Sequence, residues 1–355
     1  MQHLGDYLVV DDATLNHHKD MRARYRKLFE SPAECDPMVC VTVPGVEIPR
    51  WEEMLADPEV MLRAQLDQLR PHFEMKDDVV PVVRVNFGTA QPASAYGCSI
   101  YVPENSLPAA SDHVLSRIED AYDLPVPDVN AGLYAKLHEW TDQWLDALPH
   151  GIAIQHPDIQ STFNTAHLVR GNDIFLDFYD NPDALEALLG NITDFMIKIT
   201  LYLKSKISDD TEYFYDWLGM WKGTARISNC TMQLLAPEFY VDFVKKHDER
   251  FMAAIGGGRL HYCGDSRDMA KLFFGLENVY GYDMAPYGDD WSDMFDDMPP
   301  EKVPILSGGG REDGLCKEIL EGRLPEKRNY ICVVSAPDVE AGKRLLGDLR
   351  TAFQK

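Results

Sequence analysis

The sequence predicts an α/β chain folded as a (β/α)8 TIM barrel with an elaborated N-terminal third. Three observations predict it. Short β-rich runs alternate with amphipathic helical stretches along the 355 residues. Eight such runs can be read. A helix or a long excursion follows each one, which is the crossover that parallel strands require. An open doubly wound sheet is the rival arrangement of the same pattern.

Residues 1–37 read as an N-terminal helical extension and 38–355 as the barrel. Met38–Val43 is β-branched and stops at Pro44-Gly45, so it reads as the first strand. Trp51, Met54, Leu55, Met61, Leu62 and Leu66 recur at helical spacing over residues 50–74. Val80–Asn86 is the second strand. Prolines 103, 108, 125 and 127 mark irregular chain around a helix near 111–122, and another helix spans about 131–147. Gly151–Gln155 is the third strand, followed by a long helix at about 181–206. Glu212–Asp216 is the weakest strand of the set, and 217–235 reads as a long loop. A helix at 237–255 opens on Pro237, a residue suited to a first turn. Arg259–Cys263, Val279–Tyr282, Val303–Ser307 and Asn329–Val334 complete the eight. Helices at about 311–321 and 339–353 belong to the last two units.

Composition narrows the function classes. Lys and Arg number 34 against 58 Asp and Glu, a net charge of −24, with 45% apolar residues. Burial on that scale can offset the entropy of ordering, so a disordered chain is excluded. No run of about 18 apolar residues occurs, so no membrane span is expected. Nucleic acid is an improbable partner, because binding phosphates needs clustered Lys and Arg. The basic stretch Met21–Lys27 and the acidic run Asp289–Asp297 both read as solvated helix faces; the latter lacks the ligand spacing and glycine of a calcium loop. Seven cysteines at irregular spacing in a long chain do not form a disulfide framework. With no signal-peptide pattern at the start, a cytoplasmic location is expected.

In such a barrel the chemistry sits at the C-terminal ends of the strands. The sharpest signal there is His261-Tyr262-Cys263-Gly264. Residues two apart on a strand share a face, so His261 and Cys263 point one way and Tyr262 the other. An imidazole and a thiolate converging inside the barrel suit zinc. A metal site needs a third protein ligand, for which Cys332 on the last strand and Cys230 in the long loop are the candidates. Asp283 closes the sixth strand and is the carboxylate placed for acid–base work. Asn86 and His156, at and just past the ends of the second and third strands, are further catalytic candidates, and Asn164 beyond the third is a substrate-binding candidate; together they describe a polar rim. Gly309, Gly310 and Arg311 follow the seventh strand, where glycines let backbone N–H groups approach an anion.

At these residues the chain resembles the uroporphyrinogen decarboxylase superfamily. His261–Gly264 looks like its His-x-Cys-Gly segment, Leu234–Phe243 like its helix start, and His167–Gly171 with Asp180–Asp183 like its central segment. The resemblance covers about residues 145–353 and implies the same barrel. The N-terminal arginine motif of the true decarboxylases is missing; Asp20–Arg26 is the nearest text and lacks its glutamine and glycine. The resemblance therefore implies the methyltransferase branch: a zinc ion on His261, Cys263 and a later cysteine, and a small thiol or methylated substrate. It also implies a corrinoid cofactor carried by a partner protein. The family's later cysteine follows the last strand, where this chain has Ser335-Ala336-Pro337, so Cys332 and Cys230 both stay open as third ligand. The alternative is a metal-independent decarboxylase of porphyrin metabolism. A homodimer is compatible with either.

Overall fold

The computed structural model describes residues 3–354 except 209, 218 and 289. Asp289 of the acidic run and Leu218 of the expected long loop thus lie outside the described residues.

Seven strand segments run parallel in the order 38–42, 331–335, 303–309, 279–284, 258–262, 225–228 and 159–160. A second parallel pair joins Val82–Val83 to Ala153–Ile154. The segment 153–160 belongs to both. Its first half pairs with the second strand and its second half with Ala225–Ser228. Counting it once gives the eight positions of a (β/α)8 barrel, with helices outside.

The wall is closed differently between the first and second strands, where no ladder forms among the described residues. Two consecutive aspartates take the place of one. The Val39 amide donates to Asp78 Oδ2 at 2.7 Å and the Val41 amide to Asp77 Oδ2 at 2.8 Å. The Asp78 amide returns a bond to the Val39 carbonyl. Both carboxylates are buried. They satisfy strand amides that would otherwise be orphaned.

Period-two alternation sorts the strand side chains into two apolar sets. Val39, Val41, Leu260, Tyr262, Tyr282, Leu306, Cys332 and Val334 face the helices. Met38, Cys40, Val303, Ile305 and Ile331 face inward. The inward set continues into a plug at the strands' N-terminal ends. The plug is built from Tyr25 and Leu28 of the Asp12–Glu30 helix and from Met220 and Trp221. Gly281 makes room for it: a Cβ there would come within 2.4 Å of the Trp221 ring.

Two expected elements differ. Tyr213–Asp216 is not the fourth barrel strand; it pairs antiparallel with Gly219–Lys222 as a hairpin within the plug. The barrel strand is Ala225–Ser228, inside the segment read as a loop. Near 111–122 there is only a short 3-10 turn at Ile118–Asp123. The expected 50–74 helix is two helices, Trp51–Ala56 and Pro58–Met75. Asp57 divides them, capping the second by accepting from the Glu59 amide at 2.8 Å.

Candidate metal centre

Strands 225–228, 258–262 and 279–284 are adjacent and in register, and they carry the polar interior. His261 pairs with Ser228 on one side and Asp283 on the other. The Asn229 amide donates to the His261 carbonyl at 2.9 Å, carrying the ladder one step past the end of its strand. That step delivers Cys230 beside His261. The ligand atoms of Cys230, His261 and Cys263 all lie within 4.8 Å of one another. Tyr262 points the other way and packs edge-on to Phe273, 5.2 Å between centroids. The parity expected of His-x-Cys therefore holds.

Asp283 Oδ2 lies 2.9 Å from His261 Nδ1. Burial alone would raise the Asp283 pKa. The His261 hydrogen bond and the nearby Arg259 and Arg226 guanidinia outweigh it and bring the value down to about 2. Asp283 is thus a carboxylate placed to accept from Nδ1, which leaves Nε2 as the ring nitrogen available to a metal. Carboxylate-oriented imidazoles of this kind are the usual metal-ligating histidines.

Burial pushes the Cys230 thiol up to about 12, and the adjacent Cys263 sulfur adds to the rise. Two sulfurs side by side cannot both ionise without a compensating cation. A divalent ion held by these residues would supply it and would deprotonate the thiols. Two sulfurs and one imidazole nitrogen are a soft-to-borderline donor set that suits zinc, leaving a fourth position for water or substrate.

Cys332 lies outside this group. It is fully buried on the helix side of its strand, where its sulfur occupies the space that a Cβ on Gly308 would need. Burial raises its pKa, and nearby Cys316 raises it further. The structure therefore assembles Cys230, not Cys332, with His261 and Cys263.

The other candidates are dispersed. Asn86 is half-buried and lines a central cavity together with Asp283. Asn164 is buried; it donates to Gln160 Oε1 at 2.9 Å and to the Ser228 carbonyl at 2.7 Å, and accepts from the Thr231 amide at 2.9 Å. With its amide so engaged, it braces the turn that bears Cys230 instead of facing a ligand. His156 is buried outside the cavity, its ring nitrogens 3.0 Å and 3.2 Å from the Pro157 and Thr200 carbonyls. Gly309, Gly310 and Arg311 stand at the end of the seventh strand. Gly310 and Arg311 line a separate surface pocket, and Arg311 is paired with Asp348 at 2.7 Å. The helix there begins only at Gly314.

Sequence reasoning passed over the charged layer beneath the donors. Arg226 is ion-paired with Asp158 and lies 3.7 Å from Asp216. Arg259 donates through Nε to Asp216 Oδ2 at 3.0 Å and through Nη2 to the same oxygen. Gln155 donates to Asp216 Oδ1 at 2.6 Å. The same parity would have found the arginines: Arg226 shares a face with Ser228, and Arg259 with His261 and Cys263.

No protein-family model matches the chain, and no curated protein does. Among solved structures it is similar to a methyltransferase from Methanosarcina mazei. The TM-score is 0.66 at 16% identity, covering 94% of this chain and 98% of that one. At that identity the likeness shows the fold, an α/β barrel.

Proposed function

We propose that this protein is a zinc-dependent methyltransferase, with Cys230, His261 and Cys263 as the protein ligands and a corrinoid protein as its partner. The convergence of those three donors at the strands' C-terminal ends carries the reading. The orientation of His261 by Asp283 supports it, as does the likeness in fold to a methyltransferase.

Bound zinc would lower the pKa of a thiol or comparable acceptor, so that the nucleophile is available at neutral pH. The chain's own residues do the rest. Asp283 holds the Nδ1 proton of His261 and fixes the imidazole plane. Asn229 ties the Cys230 turn to the His261 backbone, and Asn164 braces the same turn from the opposite side through Thr231. Arg259 and Arg226 hold the Asp283 pKa down, so its carboxylate stays an acceptor for His261 Nδ1.

Metal analysis tests this. Purified protein should hold about one zinc per chain. Cys263→Ser and Cys230→Ser should lose it while staying folded, whereas Cys332→Ser should keep it. Retention of zinc by both site variants, or its absence from the native chain, would remove the reading.

A further inference from the structure

Next to Asp283, the partner of His261, the barrel holds a cavity of about 510 Å3, a size that accepts a small ligand. Trp51, Met61 and Trp217 contribute to its apolar wall. Its polar wall includes three guanidinia, those of Arg84, Arg226 and Arg259.

The carboxylates around these arginines are already engaged. Asp158 receives Arg226 and Ser228 on one oxygen and Gln160 on the other. Asp216 receives Arg259 on one oxygen and Gln155 on the other. Asp283 receives His261. That leaves one guanidinium unserved and a second edge held only by a long ion pair to Asp283. Among the described residues, the Arg84 guanidinium has no carboxylate within ion-pair distance and donates no hydrogen bond. Arg259 Nη1, on a side chain only 1% exposed, is a buried donor without a hydrogen-bond partner, 3.5 Å from Asp283. Buried donors are rarely left unserved, and a planar guanidinium edge matches a planar carboxylate. Asp216 and Asp283 on the same wall would repel a dianion, so a phosphate fits less well than a monoanion.

We infer that this cavity binds a small organic monocarboxylate, its carboxylate held by Arg84 and the Nη1 edge of Arg259 and its apolar body against Trp51, Met61 and Trp217. The other end of the molecule then points past Asp283 toward the metal donors. This last orientation rests on the methyltransferase reading; the carboxylate site itself uses no metal.

The test is calorimetric titration and thermal shift on the full chain, with 3-methoxybenzoate against the matching 3-methoxybenzamide. The benzoate should bind and raise Tm, and the amide should do neither. Arg84→Met removes a half-buried guanidinium that makes no ion pair, so it should melt no lower than the native chain. It should bind the benzoate at least roughly tenfold more weakly. Arg84→Lys should fall between the two, and it decides the matter in the same way if Arg84→Met does not fold. Equal binding of the amide, no binding of the benzoate, or unchanged affinity in the arginine variant would overturn the inference. Cys263→Ser should bind the benzoate like the native chain. A native chain that holds no zinc yet still selects the carboxylate would sink the methyltransferase reading and leave this one standing.

Discussion

The two sides of the barrel interior differ in kind. Strands 38–42, 303–309 and 331–335 turn Met38, Cys40, Ile305 and Ile331 inward and fill their side with hydrocarbon. Strands 225–228, 258–262 and 279–284 turn Arg226, Arg259, His261 and Asp283 inward. Outward, both sides present the same apolar face to the helices. Fold stability can therefore be supplied all round the outer layer, while the inner face of one side is released for chemistry. Two cysteines make the point. Cys332 is locked in the outer layer of the apolar side, and Cys263 is exposed at the mouth of the polar side. Strand parity and position separate an inert thiol from a candidate ligand.

The comparison can be broken by substitution, and the largest contrast is metal content in Cys263→Ser against Cys332→Ser, as described above. Next comes Asp216→Ala. It leaves the fully buried Arg259 without its main counter-charge, which should cost about 3–5 kcal/mol in denaturant unfolding. A cost below about 1 kcal/mol would mean that the polar layer is not a connected unit.

Two carboxylates on opposite faces of the polar wall should respond to pH with opposite sign. Asp248 lies behind Asn229, fully buried, accepting from Asn229 at 2.8 Å and Tyr240 at 3.1 Å. Burial dominates there and raises its pKa from 3.8 to about 7. The native state holds that proton more tightly than the unfolded chain. Its stabilising effect is full below pH about 4 and is lost as pH rises toward 7, on the order of 4 kcal/mol in all. Asp283, held at about 2, behaves oppositely: its contribution is present above pH about 4 and lost as pH falls through 2. Asp248→Asn should flatten the decline in Tm between pH 4 and 7, and an unchanged slope would contradict the assignment. The smallest effect belongs to the apolar side, where Ile305→Val should cost about 0.5–1.5 kcal/mol and leave the metal content untouched.

Much of this architecture was legible in the sequence, because alternating β-rich runs and amphipathic helices follow directly from burying one face of each. The fourth strand was not. Tyr213-Phe214-Tyr215 is a stronger β signal than Ala225-Arg226-Ile227-Ser228, yet the aromatic run serves the plug hairpin. The true strand looks weak because its inward residues are polar for the sake of the interior. The His261–Cys263 pair was legible, since parity within one strand is a local property. The choice between Cys230 and Cys332 was not, because it depends on register between strands some thirty residues apart and on the step past Ser228 that the Asn229–His261 bond fixes. The extra brace on the Cys230 turn, Asn164, was noticed as a rim residue, but its partners lie on another strand and could not be read from its neighbours.

The central claim is that Cys230, His261 and Cys263 form one metal site. X-ray absorption at the zinc edge of the purified protein tests it most directly. The account predicts two sulfur scatterers at about 2.3 Å and one imidazole nitrogen at about 2.0 Å, with one sulfur lost in Cys230→Ser and none in Cys332→Ser. A shell of oxygen and nitrogen alone, or a sulfur shell that survives Cys230→Ser unchanged, would contradict it.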